Sequence, residues 1–225
     1  MDTEDEDEPT LLPKRLIIAT GSSPAELPGL PTDGKRILNS DQALSMEQLP
    51  ESIIIVGGGV IGVEWASMLN DFGVDVTIIE TLPRLAGSED EQISRELERQ
   101  LKTRGVKVWT EAQLQMDSVQ LKENSVQLEA IHNDQLVSVE AEQVLVSVGR
   151  SPNSQHLGLE NTDVHVNDKG QIIVNKYLQT DESHIYAIGD VIGGYQLAHV
   201  AAREGILAVE HAEGLKVTPM LSSQV

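Results

Sequence analysis

Three glycines, Gly57, Gly59 and Gly62, follow the apolar run 52–56 in the spacing Gly-x-Gly-x-x-Gly. This spacing suits phosphate binding, because a turn without side chains lets an anion approach backbone N–H groups closely. The first glycine allows the tight turn, the second admits a pyrophosphate, and the third lets the next helix pack closely on the strand. The N terminus of that helix adds unpaired N–H groups and a partial positive charge.

A carboxylate stands where such a site needs one. A second apolar run, 74–79, ends at Glu80, 18 residues after Gly62. There it can accept hydrogen bonds from both ribose hydroxyls of an adenosine, and it would repel a 2′-phosphate. Arg84, the nearest basic residue beyond it, follows Pro83 and is a weak signal for that phosphate. The sequence therefore predicts a dinucleotide site that favours NAD(H) over NADP(H), with a glycine-rich turn that binds nothing as the simpler alternative.

One helix is expected before Glu80 and another after it. The first is expected to bury Val60, Ile61, Val63, Ala66, Leu69, Met68 and Phe72. The second is expected at about 89–104, with Ile93, Leu97 and Leu101 at four-residue spacing along its apolar stripe. The acids of this second helix lie at its start and its bases at its end, which suits the helix dipole.

Strands alternate with these helices. Further strands are expected at 106–109 and 144–148, and the alternating runs between 114 and 140 predict an antiparallel meander. The pattern predicts an α/β fold, a Rossmann-like domain whose parallel sheet carries helices and an antiparallel β-meander. Shorter elements are expected outside it. They are a strand at 16–19, a proline- and glycine-rich connector at 24–34, a short helix capped by Ser40 or Asp41, strands at 172–174 and 185–188, and a helix at 197–213.

The composition argues against several partners. The 225 residues carry a net charge of −20, so neither a basic groove for nucleic acid nor attraction to an anionic membrane is expected. The apolar stretch 53–63 contains four glycines and is too short to cross a membrane. The absence of cysteine excludes disulfides and thiol nucleophiles within this chain. Its acidic start is unlike a secretion signal, so a cytoplasmic location is expected. The six histidines are scattered and predict no metal site.

Four blocks together carry a resemblance. They are residues 17–22 (Ile-Ile-Ala-Thr-Gly-Ser), the glycine turn, residues 148–153 (Val-Gly-Arg-Ser-Pro-Asn) and residues 185–190 (Ile-Tyr-Ala-Ile-Gly-Asp). In order and spacing they resemble the pyridine nucleotide–disulfide oxidoreductases, flavoenzymes built from two dinucleotide-binding domains. The Leu-Ala-His and Glu-Gly elements within 196–205 are similar to the dihydrolipoamide dehydrogenase branch of that family rather than to its glutathione reductase-like members.

The resemblance implies two cofactor sites. The NAD site would be lined by Gly57, Gly59, Val60, Ile61, Gly62, Glu64, Glu80 and Gly149. Asp190 would accept a hydroxyl hydrogen bond from the ribityl or ribose side of FAD, although capping a turn is its simpler role. Thr20, Gly21, Ala198 and His199 would border the flavin. In the family, a homodimer serving 2-oxo acid dehydrogenase complexes passes electrons from dihydrolipoamide through a cysteine pair to FAD and then to NAD+.

The chain also departs from the family pattern. The first Gly-x-Gly-x-x-Gly, the cysteine pair and the dimerisation domain with its His–Glu pair are absent from the sequence. An internal piece is therefore expected, inactive alone and without catalytic residues. Residues 1–38 would be the edge of the first FAD segment with an acidic tail, 39–153 the NAD domain, and 154–225 the second FAD segment.

Other interpretations stay open. His199 and Glu204 have the spacing of the family's acid–base pair, but residues five apart point about 140° apart around a helix. A flavin reductase without redox thiols, such as an NADH oxidase or a ferredoxin reductase-like enzyme, is an alternative function. A non-catalytic nucleotide-binding module is another.

Overall fold

The computed structural model describes residues 11–219, and the chain divides into two compact units. Unit 1 comprises residues 1–23 and 151–225, and unit 2 runs from Pro24 to Arg150. The acidic stretch 1–10 lies outside the described residues. Leu30 of the connector and the following Ile37 join a core of unit 2. The assignment of residues 1–38, 39–153 and 154–225 to FAD and NAD segments stays a prediction.

The elements follow the expected alternation. The strands are β1 (Leu16–Ile18), β2 (Ser22–Pro24), β3 (Ile37–Asn39), β4 (Ser52–Val56), β5 (Asp75–Ile79), β6 (Lys107–Trp109), β7 (Gln113–Leu121), β8 (Val126–His132), β9 (Gln135–Ala141), β10 (Gln143–Val146), β11 (Arg150–Pro152) and β12 (Ile185–Ala187). The helices are α1 (Ser40–Ala43), α2 (Val60–Asp71), α3 (Glu91–Thr103) and α4 (Ala198–Ala212), with 3₁₀ turns at Leu159–Asn161 and Gly189–Ile192.

Unit 2 is built on a five-stranded parallel sheet in the order β3-β10-β4-β5-β6. Alternate residues of β4 point to opposite faces, as the two-residue period of a strand requires. Ile53 and Ile55 join a core that includes apolar residues of α2 and α3, whereas Ile54 and Val56 join a core that includes the meander. Burial on both faces explains the continuous apolar run of this strand. The predicted α/β fold is confirmed.

The predicted antiparallel meander is also confirmed. Strands β7, β8 and β9 pair in that order, and the register of β7 shifts between Gln115 and Gln120. Val126 and Leu128 on β8 are fully buried and cover the second face of the parallel sheet. The meander therefore takes the place that a helical layer occupies on the other face.

The expected apolar face of α2 was wrong in part. Val63, Ala66 and Leu69 are buried, but Val60 is 53% exposed, Phe72 is 62% exposed and Met68 is also exposed. The exposed residues lie at multiples of four positions along the helix, so they share one face that points away from the sheet. Apolar character alone did not separate this face from the buried one.

The two other helix predictions for unit 2 also needed correction. In α3 the buried stripe contains Ser94 and Leu101, with Leu97 partly buried, whereas Ile93 is exposed. At about 100° per residue, Ser94 lies about 20° around the helix from the buried Leu101, whereas Ile93 lies about 80° from it. Helix α1 is capped by Asn39 rather than by Ser40 or Asp41, in a reciprocal capping box with Gln42.

Unit 1 contains the parallel pair β1–β12, with Ile17 opposite Tyr186. Ile18 and Ala187 join one core cluster, and Tyr186 packs with Leu207 of α4 in another. The strand expected at 172–174 is reduced to a bridge between Val166 and Ile172, whereas the expected C-terminal helix is present as α4. Within the part of the chain that the structure describes, no helix is long and apolar enough to cross a membrane.

Candidate functional site

Two of the three motif glycines are required by close backbone packing. Gly57 has a φ of +107°, and a Cβ there would lie 2.4 Å from the Ser147 carbonyl oxygen. A Cβ at Gly62 would lie 2.0 Å from the Gly57 carbonyl oxygen. No side chain fits at either position without moving backbone. These glycines bring β4, α2 and the end of β10 together, which shapes the turn.

Gly59 has a different environment. It is the N-cap of α2, and no side chain caps that helix end. Apart from Gly59 itself and its two chain neighbours, no heavy atom of the described residues lies within 4 Å of the position that a Cβ on Gly59 would occupy. The N–H groups of the first helical turn therefore face open space next to a residue without a side chain. This is the arrangement that an anion such as a pyrophosphate needs.

Glu80, at the end of β5, ties the glycine turn to the next loop. Its Oε2 accepts a hydrogen bond from Gly58 N–H at 2.6 Å, and its Oε1 accepts one from Leu82 N–H at 2.7 Å. The Thr81 hydroxyl donates to Oε1 at 3.2 Å. The side chain is nearly buried, with 8% exposure. The carboxylate predicted to meet a ribose thus also joins the glycine turn to the loop after β5.

We expect Glu80→Ala to lower the free energy of unfolding of unit 2 by about 2 kcal/mol, because it leaves the buried Gly58 N–H without its acceptor. Glu80→Gln keeps one carbonyl acceptor and should lose less. Urea unfolding followed by fluorescence of Trp65 and Trp109 reports on this unit, since both lie in it. The exposed Glu47→Ala is the control. Equal unfolding midpoints for the Glu80→Ala and Glu47→Ala variants would contradict the structural role.

The remaining unit 2 candidates lie around the same turn. β4, β5 and β10 end side by side at the carboxyl edge of the sheet, and the strand order reverses between β4 and β10. Ligands of open α/β sheets bind at such a switch point. Gly149 follows β10 there with a φ of +131°. Val60 and Glu64 on α2 are exposed, and Ile61 is half-buried.

Sequence reasoning missed Ser147. This buried residue follows β10, and its hydroxyl donates to the carbonyl oxygens of Val56 at 3.2 Å and Gly57 at 3.1 Å. A Cβ on Gly62 would lie 2.8 Å from its Oγ. The available signal was a single serine within the apolar run 144–148. That run directly precedes the Gly149-Arg150 pair.

The loop after β5 also supports the glycine turn, and nothing in the glycine motif predicted this contact. Ala86 N–H donates to the Gly58 carbonyl at 2.7 Å, and Ala86 has a φ of +45°. The buried Ser94 hydroxyl of α3 donates to the Ala86 carbonyl at 3.2 Å. Leu85 closes the other side, since a Cβ on Gly58 would lie 2.5 Å from its Cδ2. The site therefore includes the start of α3, through Ser94.

The second set of candidates lies in unit 1, at the carboxyl ends of β1 and β12. Asn153 holds the loop after β1: its side chain donates to the Thr20 carbonyl at 2.9 Å, and its backbone N–H donates to Gly21 O at 2.9 Å. The Thr20 hydroxyl donates to the Asn153 carbonyl at 2.7 Å, and the Ser23 hydroxyl to the Asn153 side-chain oxygen at 2.8 Å. Asn153 is thus a positioning residue that the sequence did not single out.

Asp190 lies in the 3₁₀ turn Gly189–Ile192, directly after β12. Its Oδ2 accepts a hydrogen bond from the Ser22 hydroxyl at 2.6 Å. Ala198 and His199 are exposed at the first turn of α4, whose N-cap residue Leu197 provides no side-chain hydrogen bond. Asp190 therefore has the half-buried position and acceptor chemistry that a hydroxyl-bearing ligand would use.

The alternative His199–Glu204 pair has no support in the contacts of Glu204. The Glu204 carboxylate accepts a hydrogen bond from Gly189 N–H at 2.7 Å, whereas His199 is exposed. Burial raises the pKa of the Glu204 carboxyl above 4.5, and the negative charge of Asp190 adds to this rise, while the Gly189 hydrogen bond opposes it. Glu204 is thus committed to the turn that carries Asp190.

The raised pKa makes part of the stability of unit 1 dependent on pH. The folded protein binds this proton more tightly than the unfolded chain, so the stabilisation is full at acid pH and is lost as pH rises through the raised pKa. We expect Glu204→Gln to abolish that loss. Chemical unfolding followed by circular dichroism from acid to neutral pH measures it, with the exposed Glu210→Gln as control. A Glu204→Gln curve that parallels the unsubstituted protein would refute this expectation.

Within residues 11–219, no group of three or more histidine or acidic side chains could hold a metal ion. The chemistry that these two sites offer is hydrogen bonding and charge, supplied by backbone N–H groups and two carboxylates.

Comparison with known proteins gives consistent matches. Residues 1–205 match the family model described as pyridine nucleotide-disulphide oxidoreductase. The chain is 54% identical over 215 residues to a dihydrolipoyl dehydrogenase of Bacillus subtilis, covering 96% of this chain and 45% of that protein. It is 40% identical over 199 residues to a dihydrolipoyl dehydrogenase of Mycobacterium leprae, covering 88% of this chain and 42% of that protein.

Two solved structures resemble this one. The crystal structure of LpdA from Mycobacterium tuberculosis matches with a TM-score of 0.84 and 33% identity, over 93% of this chain and 44% of that one. The flavoprotein disulfide reductase RclA from Escherichia coli matches with a TM-score of 0.81 and 30% identity, over 91% of this chain and 46% of that one. The chain thus spans less than half the length of these relatives.

Proposed function

The chain belongs to the pyridine nucleotide-disulphide oxidoreductase family, and we propose that it supplies the NAD(H) site of a dihydrolipoyl dehydrogenase. This family uses flavin and nicotinamide cofactors. The observation that carries the proposal is the glycine turn itself: uncapped helix N–H groups beside the open Gly59, with the Glu80 carboxylate bonded to the same turn. The names of the similar proteins support dihydrolipoyl dehydrogenase over a thiol-independent flavin reductase.

NAD(H) is the dinucleotide that these residues fit best. A pyrophosphate would lie against the N–H groups at the start of α2, and the adenosine ribose would meet Glu80. A 2′-phosphate would be repelled by that carboxylate. Arg84, the nearest basic residue, donates instead to the Gly87 carbonyl at 2.9 Å. The guanidinium is therefore already engaged with the backbone, which weakens the case for NADP(H).

FAD is the proposed second cofactor. Thr20, Gly21 and Asp190 lie at the carboxyl ends of a parallel strand pair, where dinucleotides bind in α/β sheets. When bound, the flavin would accept electrons from a dithiol and pass them to the nicotinamide. This chain's residues would orient it: Asp190 would accept a hydroxyl hydrogen bond, and the start of α4, with Ala198 and His199, would border the ring.

The whole reaction requires groups that this chain does not contain. It has no cysteine, so it cannot supply the dithiol that would take electrons from dihydrolipoamide. We therefore expect no dihydrolipoamide oxidation by the isolated chain. For the whole enzyme we propose a cytoplasmic homodimer that acts as part of a 2-oxo acid dehydrogenase complex.

Titration with NADH and NADPH tests the nucleotide site. We expect saturable heat release or fluorescence change with NADH, and affinity for NADPH lower by at least about tenfold, which corresponds to ~1.4 kcal/mol. Glu80→Gln should narrow that difference, because it removes the charge that repels the 2′-phosphate. Lack of saturable NADH binding would overturn the proposal, and equal affinities for both nucleotides would overturn the cofactor preference.

A further inference from the structure

Glu204 lies on α4, six residues after the first residue of the helix, Ala198. A Cβ on Gly189 would lie 3.4 Å from the Ala201 side chain, so this part of α4 packs directly against the turn. Gly189 has a φ of +72° and opens the 3₁₀ turn that contains Asp190. Its N–H donates to Glu204 Oε2 at 2.7 Å. Glu204 is thus the acceptor for the first N–H of that turn.

The turn is held from two directions. Glu204 binds its backbone at Gly189, whereas Ser22 binds the side chain of Asp190 through a hydrogen bond of 2.6 Å. The two contacts come from distant parts of the chain, 15 and 168 residues away respectively. Together they fix both the position of the turn and the orientation of the carboxylate that it carries.

The surroundings of Glu204 disfavour its ionised form. Burial raises the pKa of the Glu204 carboxyl, and the negative charge of Asp190 raises it further. An ionised acceptor forms stronger hydrogen bonds to backbone N–H groups than a neutral one. The ionised Glu204 carboxylate is therefore repelled by Asp190, but it forms a stronger hydrogen bond to the Gly189 N–H than a neutral acceptor would.

We propose that Glu204 is a positioning residue, which holds the Gly189–Asp190 turn so that Asp190 presents its carboxylate to the flavin hydroxyls. This inference rests on the flavin contact proposed above for Asp190. Its first part, the hold on the turn, does not depend on the flavin.

Nuclear magnetic resonance on the ¹⁵N-labelled 225-residue chain tests the hold directly. The Gly189 amide proton should move upfield as Glu204 is protonated, because its charged acceptor is lost. Glu204→Gln should remove this pH-dependent shift, and Glu204→Ala should speed hydrogen exchange at Gly189 and Asp190. Glu210→Gln, an exposed acid on the same helix, should change neither. A Gly189 amide that titrates identically in the Glu204→Gln variant would overturn the inference.

Titration with FAD tests the consequence for the ligand. We expect Glu204→Ala to weaken FAD binding by about tenfold, and Glu204→Gln to recover most of that loss, since its amide oxygen can still accept from Gly189. Equal FAD affinities for the unsubstituted, Glu204→Ala and Glu210→Gln proteins would overturn the positioning role. Absence of FAD binding in the unsubstituted protein would overturn the flavin contact of Asp190 instead, and the amide titration would still decide whether Glu204 holds the turn.

Discussion

Gly59→Val is expected to weaken NADH binding by about 100-fold, or ~2.7 kcal/mol, and to leave unfolding of unit 2 almost unchanged. The valine side chain would enter the space at the start of α2, where no described atom beyond Gly59 and its chain neighbours lies within 4 Å of a Cβ. The protein has room for it, but a pyrophosphate approaching the same N–H groups does not. Isothermal titration calorimetry with NADH measures the affinity, and urea unfolding measures the stability of unit 2.

Gly59→Ala provides the graded control. Its single methyl group should weaken binding less than valine does, with the same small effect on unfolding. The backbone at Gly59 has a φ of −69°, so neither substitution strains it. If Gly59→Val binds NADH like the unsubstituted protein, the dinucleotide does not lie on this turn.

Unlike Gly59→Val, Gly62→Ala should strongly destabilise unit 2 and lower its free energy of unfolding by about 3 kcal/mol. The new Cβ would lie 2.0 Å from the Gly57 carbonyl and 2.8 Å from Ser147 Oγ. The first of these atoms is backbone and cannot move without disturbing β4. This clash outweighs the roughly 1 kcal/mol by which alanine normally favours a helix over glycine.

Tryptophan fluorescence during urea unfolding measures this effect, since both tryptophans are in unit 2. Gly205→Ala is the matched control, a helical glycine whose Cβ would meet only Ile188 Cδ1 at an ordinary 3.4 Å. It should leave the tryptophan transition where it is. An unchanged transition in the Gly62→Ala protein would mean that α2 can move away from the sheet at little cost.

The secondary structure of unit 2 was largely predictable because its signals are local. Continuous apolar runs mark strands buried on both faces, and alternating runs mark the meander. The errors came where the periodicity was ambiguous. Val60, Met68 and Phe72 are apolar yet exposed, and the polar Ser94 is buried in place of Ile93. In both helices the side chain's direction relative to the sheet decided burial.

The support of the two sites was not predictable. Ser147 lies 91 residues from Val56, and Asn153 lies 133 residues from Thr20, so no short motif contains both partners. In the sequence, Glu204 belonged to the Glu-Gly element of the resemblance and had a notable spacing from His199, whereas its contact is with Gly189. The Ser147 contact exists because the parallel strands β4 and β10 bring distant chain segments to one sheet edge.

The sequence by itself determined the type of fold, the family and the residues proposed to meet a dinucleotide. Its glycine spacing and the acid at Glu80 are local features, and the resemblance needed only the order of four blocks. Only the tertiary structure decided which glycine is required by packing and which leaves space open, since that depends on how closely Ser147 and Gly57 approach Gly62. It likewise decided that Glu80 and Glu204 hold backbone N–H groups, because those donors become neighbours only when the chain has folded.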